Sequence, residues 1–389
     1  MTDLVPAEAL SALVARLFAA AGVPPDDAAT VAEALVDADL RGFPSHGSHL
    51  VPVYVERLRQ GSVSSRSDAK VLVDAGGIAV VDAGHALGVL TADQAMSLAT
   101  AKAREYGIGA VAVRHAFHFG AAGRYARAAA RAGFVGIATA NTRPMMPAPG
   151  GGHPVVGNNP VAIGVPGPRA GKIRTEERSD EDGSRRHRGP GASGASANQQ
   201  SPDPDEPEPL VLDIALSAVN IGRIRMAAGN GDRIPQGWAT DAQGLPTTDP
   251  AAALAGMLLP AAGHKGFGLA LMVDVLAGVL AGGGYGERVN GLYADTALPN
   301  ECGHFFLALD VAAFGDIDGF ATRLADLEAS VTAPPYAPGV DRVLLPGQGS
   351  AERLRDAMRR GVAVDQGVLA RLRDLAADLD VPLPEGLPR

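Results

Sequence analysis

A single cysteine, Cys302, stands in a chain of 389 residues. No intrachain disulfide is available, and a reducing compartment is expected. Long apolar runs are also missing. The most apolar stretch, Gly266 to Leu280, is interrupted by Asp274 and flanked by His264 and Lys265. It is too short to cross a bilayer and reads as a buried helix. An excess of positive charge is absent: the formal net charge is −9, which argues against a dedicated nucleic-acid or anionic-membrane partner. The first residues, with Asp3 and Glu8, show no basic-then-apolar leader, so the cytoplasm is the expected location. The common nucleotide and nucleophile motifs are missing as well. There is no Walker A lysine and no GxSxG elbow. Gly107-Ile-Gly109-Ala-Val-Ala112 has the spacing of a dinucleotide fingerprint, but it follows a helical pattern and opens a strand pattern, the reverse of the required order. No internal repeat is visible.

What remains is a chain 46% hydrophobic and 20% charged, long enough for a large core. Leu10, Leu13, Val14, Leu17 and Phe18 recur at helical spacing, so residues 6–20 read as an amphipathic helix. Pro24 to Asp27 open a second helix, which stops near Gly42. A polar turn from Phe43 to His49 follows, and Val51 resumes a helix. Val71–Asp74 and Ile78–Asp82 flank Gly76-Gly77 as a strand pair. Thr91-Ala-Asp-Gln94 has capping-box spacing for a helix running to Tyr106. Further helices are expected at Ser217 to Ala228, Lys265 to Leu280, Ala321 to Ser330, Glu352 to Arg360 and Val368 to Leu379, and a strand at His304 to Asp310. From Gly171 to Pro209 there is no aromatic residue and one large aliphatic, Ile173. An insertion at 168–208 is therefore expected to be disordered. Three parts result: a helical part at 1–75, an α/β part at 76–310 carrying the insertion, and a helical part at 311–389 packing with the first.

At the centre, Ile108 to Val113 reads as a strand, Ala121 to Ala132 as a helix and Phe134 to Thr139 as a second strand. Such a unit joins parallel strands by a right-handed crossover. His118 falls beyond the end of the first strand, where ligands bind in open α/β sheets. Histidine alone titrates near neutrality without help, so His118 is a candidate acid or base, weighed against a ring that only caps local backbone. Ser45-His46 is a second candidate, weighed against a plain turn. The pairs His46/His49 and His115/His118 invite a metal reading, but no acidic or cysteine ligand stands at a recognisable spacing, and no metal is expected. Lys265 and Asp213 have the chemistry to hold a cofactor; their bland readings are a solvated helix start and a cap.

The motifs in order are Asp39-Leu-Arg-Gly42, Ser45-His46-Gly47, His118-Phe-Gly120, Asn158-Asn-Pro160, Asp213-Ile-Ala-Leu-Ser217, Trp238-Ala-Thr-Asp241, Lys265-Gly-Phe-Gly-Leu269 and Leu345-Pro-Gly347. In order and spacing they resemble the type-2 malate/L-lactate dehydrogenase family, over nearly the whole chain outside 168–208. The pattern from Ser45 to Tyr54 looks closest to its hydroxycarboxylate dehydrogenase branch. The resemblance implies an α/β, non-Rossmann nicotinamide-binding fold with a mixed sheet, and a homodimer. It implies NAD- or NADP-dependent hydride transfer at C2 of a 2-hydroxy or 2-oxo acid. A cyclic-imine or secondary-metabolite ketone reductase and a catalytically inactive scaffold are the alternatives. Carried over, His118, His46 and Ser45 are the catalytic positions, with the proton donor open between the two histidines. Thr142, Asp213, Ile214, Ala215, Lys265, Gly266, Pro346 and Gly347 are the cofactor positions. Leu50, Asn158 and Arg143 are substrate positions. Leu50 stands where many members have an arginine that pairs with the substrate carboxylate. A leucine cannot make that bidentate contact, so carboxylate binding is expected either to weaken or to shift to another residue, for example Arg143 or His49. Asn158 replaces a usual threonine, and Arg223 a usual lysine.

Overall fold

A computed structural model describes residues 2–167 and 208–388. The expected insertion lies outside the described residues, apart from Glu208. That residue corrects the expected boundary: its carboxylate pairs with Arg41 at 2.9 Å and Arg131 at 3.0 Å, so residue 208 belongs to the packed fold.

The centre is a mixed sheet whose seven described strands are, in spatial order, β2 (Lys70–Ala75), β3 (Ile78–Asp82), β4 (Ile108–Ala116), β12 (Cys302–Asp310), β5 (Phe134–Ala140), β8 (Val161–Val165) and β9 (Leu210–Ile214). Two short pairs lie outside it, β6 (Met146–Pro147) with β7 (Pro154–Val156) and β10 (Ala239–Thr240) with β11 (Pro246–Thr247). Among the described strands only β3 and β4 pair in parallel. The expected strand–helix–strand unit forms, with its helix at Gly123–Arg131. Its strands run the same way but are not neighbours, because β12 lies between them, antiparallel to both. β12 is suited to that central place: Phe306 and Ala308 bury one face while Phe305 and Leu307 partly bury the other.

Two helices cover one face of the sheet. The helix Gly88–Tyr106 lays Ala92, Ala95, Ala99 and Ala103 against Val111, Val113 and Phe306. Small residues let it come close: a Cβ on Gly109 would stand 1.9 Å from the Ala99 carbonyl. This helix starts at Gly88, not at Thr91 as the capping-box spacing suggested. Gly88 permits a contact no other residue allows, since a Cβ there would meet the Phe117 carbonyl at 1.9 Å. Thr91 Oγ1 bonds back to the Gly88 carbonyl instead.

A second core joins the chain ends. β1 (Thr2–Val5) pairs antiparallel with β13 (Val362–Asp365). The helices Ala7–Ala20, Pro25–Leu40 and Val51–Gln60 pack Leu13, Leu17, Leu35 and Tyr54 with Leu354, Leu369 and Leu372 of the last two helices.

Two other expectations change. The helix expected from Ser217 begins at Ile221, where the Asn220 side chain accepts from Gly222 N–H and caps it. The helix expected from Lys265 to Leu280 is α-helical over His264–Asp274, then widens into a π turn at Val275–Val279. It is not buried throughout: Leu269 and Leu280 are each 58% exposed and Met272 52%. Asp274 sits inside this apolar stretch because Asn141 Nδ2 and the Gly286 N–H both donate to its carboxylate. Among the described residues no helix is long and apolar enough to cross a membrane.

Candidate active site

His118 lies in the short link between β4 and the helix Gly123–Arg131. Tyr54 meets it from the helix Val51–Gln60. The Tyr54 hydroxyl is 2.6 Å from His118 Nδ1 and 3.2 Å from the His118 carbonyl oxygen. The Gly120 N–H also donates to Nδ1, at 3.4 Å. Nδ1 is therefore the acceptor, and Nε2 carries the proton of the neutral ring. Burial first, then the nearby His46 and His304 rings, push the His118 pKa down to about 3. His118 therefore stands neutral at ordinary pH. His304, on β12, stacks on Phe119 at 4.5 Å, and burial pushes its pKa down to about 3 as well.

The His46 ring stacks on His118 with centroids 5.9 Å apart. Ser45 Oγ is 3.0 Å from His46 Nδ1, and Asn220 Nδ2 donates to Ser45 Oγ at 3.4 Å. Asp213, near the end of β9, accepts the Gly123 N–H at 2.8 Å, and a Cβ on Gly123 would come within 2.7 Å of that carboxylate. Burial raises the Asp213 pKa, opposed by the Gly123 hydrogen bond and by His46. Burial lowers that of His46, opposed by Asp213. The two charged forms thus favour one another.

The loop carrying Ser45 and His46 is tied down by Asp39, whose carboxylate accepts the Ser48 N–H at 2.8 Å. Gly47 allows the approach: a Cβ there would overlap Asp39 Oδ1 at 1.9 Å. Burial raises the Asp39 pKa from 3.8 to about 6, against its bonds to Ser48. A carboxyl whose folded pKa lies above its unfolded value takes up a proton on folding between the two. Its contribution to stability therefore falls as pH rises from about 4 to about 6 and is flat above. The buried histidines slope the opposite way, so the difference between wild type and Asp39→Asn isolates the carboxyl. Asparagine keeps an acceptor for Ser48. Denaturant titrations at pH 5 and pH 7.5 should show the variant gaining relative stability at the higher pH, by roughly 1–2 kcal/mol. An unchanged difference would mean that Asp39 keeps an ordinary pKa.

Hydrogen bonds link the segments that carry the positions expected to hold a cofactor. Thr142 Oγ1 donates to Asn158 Oδ1 at 2.9 Å, Leu216 N–H to the Asn158 carbonyl at 2.7 Å, and Ala261 N–H to the Leu216 carbonyl at 2.9 Å. Leu216 follows Ile214 and Ala215; Ala261 precedes the turn to Lys265 and Gly266. Pro346 and Gly347 join from the other side: the Pro346 carbonyl accepts Val211 N–H at 3.2 Å, two residues from Asp213. Arg143 is exposed and lies over Gly291. Leu50 is 1% exposed within the second core, so it offers no side-chain surface to a ligand.

The two HxxH pairs part company. His115 Nδ1 bonds to Asp82 at 3.0 Å and its ring faces His85, while His118 faces His46. Among the described residues no group of three His, Cys, Asp or Glu side chains is arranged to hold a metal. Tyr54, Asp39 and Asn220 were not singled out from the sequence as site residues. A hydroxyl on the apolar face of a helix beside Val51 and Val55 was the available signal for Tyr54.

A sequence profile described as malate/L-lactate dehydrogenase matches residues 5–174 and 200–373. An L-sulfolactate dehydrogenase of Methanothermobacter thermautotrophicus is 33% identical, over 95% of this chain and 96% of its own. An NAD(+) ureidoglycolate dehydrogenase of Escherichia coli is 32% identical, over 92% and 91%. An NADP(+) (2R)-3-sulfolactate dehydrogenase of Chromohalobacter salexigens is 34% identical, over 81% and 84%. The solved sulfolactate dehydrogenase from Methanocaldococcus jannaschii superposes with a TM-score of 0.83 at 30% identity, covering 98% of each chain. A delta1-piperideine-2-carboxylate reductase from Pseudomonas syringae gives 0.78 at 28% identity, covering 96% of this chain and 100% of its own. With a profile across almost its whole length and relatives aligned nearly end to end, the chain belongs to the malate/L-lactate dehydrogenase family and is an NAD(P)-dependent oxidoreductase.

Proposed function

We propose that the protein interconverts a 2-oxo acid and its 2-hydroxy acid, with His118 exchanging the proton at the C2 oxygen. The observation that carries this reading is the Tyr54 bridge to Nδ1 and the backbone carbonyl of His118. With Nδ1 accepting from Tyr54 and Gly120, it leaves Nε2–H as the donor to the C2 oxygen in reduction. His46, whose charged form Asp213 favours, is the second group able to hold the proton, with Ser45 orienting or relaying. Arg143 and Asn158 flank the substrate, and the buried Leu50 leaves the C2 carboxylate to Arg143.

When bound, the nicotinamide supplies or takes the hydride. Thr142, Asp213, Ile214, Ala215, Lys265, Gly266, Pro346 and Gly347 would hold it. These residues suit the cofactor. Lys265 is exposed at the start of a helix whose first turn has no side-chain cap, leaving N–H groups free for an oxyanion. Ala262 and Gly263 have positive φ, 52° and 64°, and a Cβ on Gly266 would meet the Ala261 carbonyl at 2.1 Å. That turn brings backbone close in a way side chains would block.

The reading includes a cytoplasmic homodimer, supported by the exposed apolar residues Leu269, Met272, Val279 and Leu280 on one stretch. It includes the three-part division at 75 and 310, supported by the β1–β13 pair and the shared core of the chain ends, although β2 within 1–75 pairs with β3. The test is nicotinamide absorbance with NADH or NADPH and a panel of small and aromatic 2-oxo acids. Consumption with any of them supports the reading. A cofactor that binds but is consumed only with cyclic imines favours the second reading, an imine reductase, for which the likeness to the piperideine-carboxylate reductase speaks. Failure to bind either cofactor points to an inactive scaffold.

A further inference from the structure

NAD and NADP differ by one phosphate on the adenosine 2′-oxygen, and the relatives above include one named for each. The choice is electrostatic. A carboxylate accepts from the free 2′-hydroxyl and repels the phosphate, whereas an arginine meets the phosphate with its planar fork.

One arginine is held beside the cofactor positions Pro346 and Gly347 with part of its fork unused. Arg353 stands in the second turn of the helix Gln348–Arg360, whose N-cap is Gly347. Its Nε donates to the Arg41 carbonyl at 2.9 Å, and the Phe43 ring centre lies 5.8 Å from its guanidinium carbon. Gly42 makes the room, since a Cβ there would come within 2.5 Å of Arg353 Nε. On the other side Nη1 lies 3.6 Å from where a Cβ on Gly349 would stand. One edge of the guanidinium is thus fixed. Arg353 is exposed, and among the described residues it has no carboxylate partner. The first turn of its helix has no side-chain cap, so the opening N–H groups add to the same positive end.

The carboxylates of the adjoining elements are engaged elsewhere. Glu352 gives both oxygens to Arg342 at 2.8 Å. Asp37 and Glu208 pair with Arg41, Arg127 and Arg131. With Arg353 these make four guanidiniums against two carboxylates, in a chain whose net charge is −9. The cofactor positions therefore include two uncapped helix starts, each with a cation. One is the turn at Lys265 and Gly266; the other is Gly347 with Arg353. NAD carries one phosphoryl group, its diphosphate, and NADP carries a second, the 2′-monoester of about −1.5 to −2 charge.

We propose that Arg353 receives the 2′-phosphate, so that the protein prefers NADP(H) to NAD(H). This rests on the cofactor placement above and narrows it to one of the two forms.

Calorimetry with NADPH and NADH tests it without turnover. Wild type should bind NADPH about tenfold to a hundredfold more tightly, the span of a charged hydrogen bond. Arg353→Gln should bring the two within about threefold by weakening NADPH alone, with NADH affinity kept within about twofold. Arg353→Lys, which keeps the charge and loses the fork, should retain part of the preference. Adenosine 2′,5′-bisphosphate and AMP, which differ by the same phosphate, should repeat the pattern. Equal weakening of both cofactors in Arg353→Gln would put the arginine on the shared diphosphate or in the fold and overturn the proposal. Wild type that binds NADH as tightly as NADPH would overturn it too, while leaving the dehydrogenase reading in place. A preference that vanishes in Arg353→Gln upholds it even if no 2-oxo acid is reduced, in which case the 2-oxo acid reading is what fails. Binding of neither cofactor overturns both.

Discussion

His118→Asn is expected to lower kcat by about 10²–10⁴-fold while leaving nicotinamide affinity within about twofold. The substitution removes Nε2, the atom that the bonds to Nδ1 from Tyr54 and Gly120 prepare as a donor. It leaves a polar side chain of similar reach, and the Tyr54 hydroxyl keeps its bond to the backbone carbonyl at residue 118. Packing should therefore survive, and the loss should fall on the chemical step. Single-turnover absorbance, with the cofactor Kd measured separately, makes the distinction. Turnover within threefold of wild type would move the proton to His46. The low pKa adds a second signature. Because burial and the neighbouring rings hold His118 near 3, the free enzyme should show no titration of this ring around pH 6.5. A kcat/KM inflection there that survives in His118→Asn belongs to another group, with the coupled His46 and Asp213 pair the first to examine.

The seat of His118 was legible because it depends on local pattern: a β-branched run, a polar link and an alanine-rich helix, all within thirty residues of chain. The place of β12 was not. It enters between β4 and β5 from about 160 residues downstream, pairing His304 with Ala140, and nothing in the local sequence names that partner. Thr91 misled for the same reason. Its capping spacing was sound, but the helix begins where Gly88 can touch the Phe117 carbonyl, a contact between distant segments. The hydrogen bonds that join Thr142, Asn158, Leu216 and Ala261 were not legible in local pattern, since each link crosses from one segment to another. Tyr54 was hidden differently. Its ring packs in the core with Phe18 and Phe117, so apolar periodicity counts it as filler, and only the direction of its hydroxyl shows what else it does. The apolar stretch from Gly266 failed in the opposite sense, because hydrophobicity alone does not say whether the chain itself covers a surface.

Arg57→Ala should cost about 3 kcal/mol or more of stability. Arg57 is fully buried and has no carboxylate partner among the described residues. Its guanidinium donates mainly to backbone, to the Leu292 carbonyl at 3.0 Å, the Leu298 carbonyl at 2.7 Å and the Gly291 carbonyl at 2.8 Å, and more weakly to Ser62 Oγ at 3.4 Å. It also lies 5.8 Å from the centre of the Phe117 ring, next to His118. Alanine leaves three acceptors without their donor, each worth roughly 1–3 kcal/mol if it stays dry, and opens a cavity the size of the side chain. Lysine keeps the charge but lacks the fork that reaches three carbonyls at once, so Arg57→Lys should recover only part of the loss. Chemical denaturation of wild type and both variants reads this directly. The order wild type, lysine, alanine is expected, with the alanine midpoint clearly displaced. Equal midpoints would mean that residues 291–298 are hydrated and held by other contacts.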